Sequence, residues 1–179
     1  ENAYLEYLPE PTIPCRHTRF IADTAIRIAP SATLFYSEVY MSGRKYFDGG
    51  ETFQYDILSV CSHAERPDGE QLFREKFIIR PGACPPGTLG AMNGYDVFAN
   101  VIVMTPPEHA DRIYEATPAF IDRDRRLAAG ITRLPNDAGL LYKVLGEETG
   151  PVKKLIREFC SSVRLEVKGR PLPEEFPWR

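Results

Sequence analysis

Two glutamates stand where the apolar stripe of a strand should be unbroken. In Gln71 to Arg80, a period of two sets Phe73, Glu75, Phe77 and Ile79 on one face. The other face carries Leu72, Arg74, Lys76, Ile78 and Arg80, and its cations mark it as the solvated side. Glu75 therefore falls in the middle of the buried stripe. In Thr33 to Met41 the same period groups Leu34, Tyr36, Glu38 and Tyr40, which sets Glu38 among large rings. A carboxylate taken from water without a partner costs on the order of several kcal/mol, so it finds a cation or a proton instead. Two readings stay open on these residues. Each glutamate forms an ion pair that serves only the fold, with Arg16, Arg19 and Arg44 as candidate partners, or the two line a water-filled path for a hard or borderline cation.

Two Cys-x-His pairs, Cys15-Arg16-His17 and Cys61-Ser62-His63, have the spacing that points both side chains the same way on a strand, so each pair could converge on one ion. A stable zinc site normally takes four ligands at recognisable spacings, and these are two isolated pairs. The plainer reading of each is a small buried thiol beside a turn histidine. His109, in the first turn of an expected helix, is read as exposed. The usual catalytic signatures are missing: there is no GxSxG, GxxxxGK[ST], GxGxxG or HExxH. The glycines of Pro81-Gly82-Ala83-Cys84-Pro85-Pro86-Gly87 do not make a phosphate cradle, because the prolines remove the N–H groups that a cradle needs. No histidine neighbours a serine or cysteine in a known nucleophilic arrangement.

The elements that would position these residues are mostly strands. Ala3 to Leu8 reads as a strand already under way, with no initiator methionine before it, so the sequence is expected to be part of a longer chain. Arg19 to Ile28, Thr33 to Met41, Thr52 to His63 and Gln71 to Arg80 follow as strands. The last two are joined across Arg66-Pro67-Asp68-Gly69, a hairpin signal. Pro81 to Asn93 is a loop. Tyr95 to Met104 is apolar on both faces, as a central strand is. Thr105-Pro106-Pro107-Glu108 predicts a helix start with Thr105 as cap, ending near Thr117 before Pro118; Ala119-Phe120-Ile121 reads as a continuation after a kink. Leu127 to Leu134 and Gly139 to Leu145 are strands joined by Pro135-Asn136-Asp137. The last helix begins at Thr149-Gly150-Pro151 and carries the stripe Val152, Leu155, Ile156, Phe159, Cys160 and Val163. The expectation is a mainly-β, α+β chain with two helices in its C-terminal half. Residues 1–93 form strand layers, residues 94–179 form a β-α-β-β-α segment that partly resembles a ferredoxin-like unit, and the two are packed as one domain. The proline-rich tail Gly169 to Arg179 is expected to lie extended over the surface.

The chain has 179 residues, 43% hydrophobic and 26% charged, with a net charge of −3. That composition supports a sizeable core, and no basic cluster marks a nucleic-acid surface. The longest apolar run, Val97 to Met104, is interrupted by Asn100 and too short to span a bilayer, and no signal peptide is visible. Four cysteines without a CxxC argue against a disulfide framework and for a reduced, cytoplasmic setting.

Ordered along the chain, several stretches resemble one family, the urease accessory protein UreD (also called UreH). Leu5-Glu6-Tyr7-Leu8-Pro9-Glu10-Pro11-Thr12-Ile13-Pro14 is similar to that family's "LEWLPQ-x-x-I-x-F". Ser42-Gly43-Arg44 with Gly50-Glu51-Thr52-Phe53 resembles "LGR…GExF", and Leu72-Phe73-Arg74-Glu75-Lys76-Phe77 resembles "LL-x-ER-L". Gly130-Ile131-Thr132-Arg133-Leu134-Pro135 and Leu141-Tyr142-Lys143-Val144-Leu145-Gly146 resemble "G-x-T-x-L…VRFL". Val163-Arg164 and Gly169-Arg170-Pro171 resemble "LR-x-x-L-x-G-x-x", with Pro177-Trp178 similar to "RIW". No one of these is specific; their order over nearly the whole chain is.

The resemblance implies a non-catalytic scaffold with stacked, β-helix-like strand layers. It implies partnership with UreF, with the GTPase UreG through UreF, and with the urease apoprotein, a homodimer within the accessory complex, and no tightly bound cofactor. It also implies transient passage of nickel, with Glu38 and Glu75 at positions where the family carries acidic residues on the nickel path. The family has a further N-terminal segment, including "YLLHPPGG" and "GGD" stretches, that this sequence lacks, so part of the path is expected to be missing here. Two rivals remain on the residues themselves. One is a β-helical, carbohydrate-active enzyme using Glu38 and Glu75 as a pair, which needs carboxyls roughly 5–9.5 Å apart in an open cleft. The other treats residues 94–168 as a ferredoxin-like module for a small ligand.

Overall fold

The structure is a computed structural model that describes residues 2–173. Among them are nine strands and two α-helices in the order β1 (Tyr4–Tyr7), β2 (Arg19–Arg27), β3 (Thr33–Met41), β4 (Ile57–Glu65), β5 (Gln71–Ile79), β6 (Val97–Met104), α1 (Pro107–Glu115), β7 (Phe120–Asp122), β8 (Leu127–Arg133), β9 (Leu140–Gly146) and α2 (Thr149–Lys168). The strands form two sheets, one of six in the order β1-β3-β6-β9-β8-β7 and one of three in the order β2-β4-β5. The first four strands alternate between the sheets. β1 pairs in parallel with β3, and β2 in parallel with β4, so the chain winds through successive coils as in a β-helix. From β5 onward the pairing is antiparallel, except that the six-stranded sheet takes strands from both ends of the chain.

The six-stranded sheet is covered by helices on one face and, along β3, β6 and β9, by the three-stranded sheet on the other. Its alternating side chains Phe35, Val39, Val97, Ala99, Val101, Val103, Leu140, Tyr142 and Val144 meet the helices in one core cluster. α2 contributes Val152, Ile156, Phe159, Cys160 and Val163, all buried, with Leu155 partly so. Phe159 packs between Phe35 and Tyr142, with ring centroids 5.8 and 4.3 Å away. Each such large side chain contributes about 1.5–3 kcal/mol on burial, enough to outweigh the weak helix propensity of this β-branched and aromatic stripe. The opposite face packs on the three-stranded sheet through two further clusters. One gathers Ile26, Leu34, Ala64, Leu72, Ile102, Met104 and Leu141; the other gathers Tyr40, Tyr55, Leu58 and Val60 with Phe77 and Phe98. No helix among the described residues is long and apolar enough to cross a membrane.

The expected elements appear with four differences. Residues 52–56 are turn rather than strand, because Phe53 takes a left-handed conformation (φ 55°) and gives its N–H to the Ser42 carbonyl. Thr105 does not cap α1; Pro106 holds that position, and the Thr105 hydroxyl bonds that of Thr33 at 2.8 Å instead. Residues Phe120–Asp122 form strand β7 rather than a continued helix, since Pro118 stops α1 and the edge of β8 offers ladder partners. Leu72, assigned to the solvated face, is buried, because the turn between β8 and β9 folds over it: Asn136 Nδ2 donates to the Leu72 carbonyl at 3.0 Å, and Leu134 and Ala138 pack alongside. Of the tail, residues 174–179, with Pro177 and Trp178, lie outside the described residues. Before them Leu172 is tucked into the helix cluster, so the tail begins by folding back on α2.

The Ser42-Gly43-Arg44 and Gly50-Glu51 stretches turn out to be two halves of one clasp. Arg44 makes a two-pronged pair with Glu51, Nε to Oε2 at 2.6 Å and Nη2 to Oε1 at 2.7 Å, and its guanidinium stacks over the Phe47 ring at 3.8 Å. Glu51 is buried, and the Arg44 guanidinium holds its carboxyl below the usual range. Gly43 has φ 141°, and a Cβ there would stand 2.2 Å from the Glu51 carbonyl oxygen. Gly43→Ala should therefore destabilise the protein by more than about 1 kcal/mol in chemical denaturation. A depressed carboxyl pKa gives stability that is present above the ordinary value of 4.5 and is lost as pH falls through the folded value. Thermal scans should accordingly find Arg44→Met less stable than the parent at neutral pH, with the gap closing below pH 4.5.

Candidate functional site

Between the two inter-sheet clusters lies a thin polar layer built by strand register. Glu38 of β3 stands beside Asn100 of β6, and Asn100 stands beside Lys143 of β9. In the facing sheet Ser62 of β4 stands beside Glu75 of β5. The two carboxylates singled out by periodicity thus face each other from opposite sheets, with Glu38, Ser62, Glu75 and Asn100 around one pocket walled by Val60, Phe77 and Ile102. As the side chains stand, that pocket has no free space wide enough for a water molecule. It adjoins a larger, mostly apolar cavity of about 600 Å³ under the 81–93 loop, and Phe77, Asn100 and Lys143 line part of it. Asn100 and Lys143 were missed as site residues in the sequence. The break that Asn100 makes in an otherwise apolar central strand was the available signal.

The two carboxylates differ in partners. Glu38 is 8% exposed and accepts the Tyr36 hydroxyl at 2.6 Å; no cationic side chain among the described residues pairs with it. Burial pushes its carboxyl above the usual range, the hydroxyls of Tyr36 and Tyr40 pull it back, and the charge of Glu75 adds to the rise. Burial also raises both tyrosine hydroxyls, so they remain protonated donors. Glu75 is half-buried and pairs with Lys143, Nζ to Oε1 at 2.5 Å. The arginines named as candidate partners are engaged elsewhere: Arg16 and Arg44 lie on Glu51, and Arg19 on Asp56. The ion-pair reading is thus met for Glu75 by a lysine distant in sequence, and is unmet for Glu38.

The remaining candidates separate. Cys15 and His17 are both exposed and lie in a turn in which His17 has φ 62°, so the strand geometry that would converge them is absent. Cys61 and His63 do share a strand face, on β4 pointing away from the carboxylates. His109 is not free at the surface: its Nδ1 lies 2.8 Å from Glu166 Oε1, between α1 and α2, beside Arg112.

Two other motif-like stretches also meet in space. Glu6 of β1 accepts Arg164 Nη1 from α2 at 3.0 and 2.9 Å and the Tyr4 hydroxyl at 2.7 Å, which ties the first strand to the last helix. A family model described as "UreD urease accessory protein" matches residues 1–179. The chain belongs to the UreD family. It is 51% identical over 177 residues to Urease accessory protein UreD 2 of Brucella suis biovar 1 (strain 1330), a match that covers 99% of this chain and 59% of the relative. It is 46% identical over 185 residues to Urease accessory protein UreD of Yersinia enterocolitica, which covers the whole chain and 57% of that relative. The chain therefore spans less than two thirds of the length of these UreD proteins. Within the part it spans, the ion pairs Glu6–Arg164, Arg44–Glu51 and Glu75–Lys143 join stretches that resemble the family's motifs.

The unpaired Glu38 makes a prediction about stability. A carboxyl whose folded pKa is raised costs nothing below its unfolded value and costs progressively more as pH rises above it. Glu38→Gln keeps the shape and removes that cost. Its Tm should exceed the parent's by about 2–4 °C at neutral pH, the shift that about 1 kcal/mol makes in a chain of this size. The difference should fade as pH drops below 4.5.

Proposed function

We propose that this protein is a non-catalytic scaffold of urease maturation, and that its carboxylate layer is a passing point for nickel on the way to the urease apoprotein. The observation that carries the reading is Glu38, a buried carboxylate with no cationic partner, facing Glu75 across the sheet interface. Family membership supports the urease context, since the relatives are named as urease accessory proteins. In this reading the chain binds UreF, reaches UreG through it, works in the cytoplasm and assembles with a second copy inside the accessory complex.

The chemistry suits passage rather than storage. Two carboxylates, an amide oxygen from Asn100 and the Ser62 hydroxyl are oxygen donors, which hold nickel more weakly than imidazole or thiolate ligands do. Lys143 occupies Glu75 in the resting arrangement, so an arriving divalent ion exchanges places with an ammonium. The half-exposed Lys143 can swing into the neighbouring cavity and take its charge to solvent. This exchange keeps the layer close to neutral throughout, which lowers the cost of moving a dication between apolar walls. A paired-carboxylate glycosidase is disfavoured by the same packing, because the space between Glu38 and Glu75 admits no sugar ring.

The test is urease activation in a cell that carries the urease operon and the full-length protein with Glu38→Gln, Glu75→Gln or both. The double variant should fold, bind UreF in a pull-down and leave urease with a large loss of nickel content and activity. A double variant that loads urease as the parent does would remove the passage role. Retained loading together with lost UreF capture in the parent would remove the scaffold role.

A further inference from the structure

Asp23, Cys61 and His63 meet on the outer face of the three-stranded sheet, the face turned away from the carboxylate layer. Cys61 and His63 are two apart on β4 and project the same way. The parallel register places Asp23 of β2 directly beside Cys61. The thiol sulfur, a ring nitrogen and a carboxylate oxygen of the three all lie within 4.8 Å of one another, and no other such trio of metal-ligating side chains forms among the described residues. A second observation points to a ligand. The His63 Nδ1 atom is buried and makes no hydrogen bond, although Asp23 Oδ1 approaches to 3.3 Å. A buried polar atom left unsatisfied costs about 1–3 kcal/mol, which a bound ion would remove.

We propose that Asp23, Cys61 and His63 bind one thiophilic divalent cation of the zinc, cobalt or nickel class. Tetrahedral coordination with bonds of about 2.0–2.3 Å holds ligand atoms roughly 3.5 Å apart, so ligand atoms that already lie within 4.8 Å of one another close on one ion by side-chain shifts of about an ångström. Cys61 loses its proton on binding, and thiolate plus carboxylate neutralise the dication. Water completes the coordination from the solvent side, where Asp23 is exposed. On the other flank, Lys76 and Arg74 of β5 stand opposite Cys61 and His63, both exposed. Their charges oppose an ion held by electrostatics alone, which disfavours magnesium and calcium and leaves ions that form strong bonds to sulfur. The site faces away from Glu38 and Glu75 and stands or falls independently of the passage reading.

Titration of the purified protein with cobalt(II), under a phosphine reductant, tests the site. One equivalent should bind and give a thiolate-to-cobalt charge-transfer band that zinc(II) abolishes by competition. Cys61→Ser should lose the band, while Cys15→Ser and Cys84→Ser, both at exposed thiols, should keep it. Asp23→Asn and His63→Gln should retain the band with affinity weaker by about tenfold or more, since loss of an outer-shell partner alone already costs that much. Circular dichroism establishes that each variant is folded. A folded parent without the band, a band that survives Cys61→Ser, or unchanged affinity in Asp23→Asn and His63→Gln would overturn the assignment.

Discussion

The central strands β3, β6 and β9 of the six-stranded sheet have to be covered on both faces, and the two covers are made of different material. The helix face is sealed by an all-apolar stripe from α2, in which Phe159 wedges between Phe35 and Tyr142. The other face is sealed by a second sheet, and strand pairing there leaves less freedom in what meets what. Because side chains alternate with a period of two, a residue placed at the middle of β3 must face the middle of β4 and β5. Glu38, Asn100 and Lys143 come from three adjacent strands, and Ser62 and Glu75 from two. The polar layer is thus a consequence of register, and moving any one of these strands by a residue would take its member out of the layer.

Three ion pairs show how burial decides what a charge does in this fold. Arg44–Glu51 and Glu6–Arg164 have well-buried carboxylates with several donors each, and they fix backbone: one closes the 42–51 turn, the other holds β1 to α2. Removing one partner from such a pair strands a buried charge, so these positions tolerate little. Glu75–Lys143 is more exposed on both sides and has a single contact. An exposed pair contributes about 0–1 kcal/mol, so it can open without threatening the sheets. Glu38 is the opposite case again: its hydrogen bonds come only from tyrosine hydroxyls, and the fold carries its desolvation cost.

The two faces of one small sheet therefore have contrasting chemistry. The inner face of the β2-β4-β5 sheet offers oxygen donors between apolar walls, and its outer face offers the buried sulfur of Cys61 with the nitrogen of His63 and the exposed oxygen of Asp23. The central strand β4 supplies both, with Ser62 directed inward and Cys61 and His63 outward. Weak oxygen ligation suits an ion that moves, and thiolate ligation suits an ion that stays. This division follows from alternation along nine residues of one strand.

Much of this was legible in the sequence because it depends on local spacing. The strand alternation of β3 and β5, the two-faced apolar run of β6 and the helical stripe of α2 each follow from a period that neighbouring residues set among themselves. So did the placement of Glu38 and Glu75 on inward faces. What spacing along one strand cannot contain is the identity of the residue opposite. Lys143 lies 68 positions from Glu75, and it reaches that carboxylate through two sheet pairings and the sandwich closure, so nearby arginines were the natural but wrong partners. The cover over Leu72, the Thr33–Thr105 hydroxyl pair in place of a helix cap and the Asp23 that joins Cys61 and His63 are likewise products of long-range contact. The sequence by itself determined the strand alternation that turns two acids, Glu38 and Glu75, inward. Tertiary structure alone decided which acid keeps a cation and which is left to hydroxyls, because that choice is made by strands that meet only after the sheets have closed.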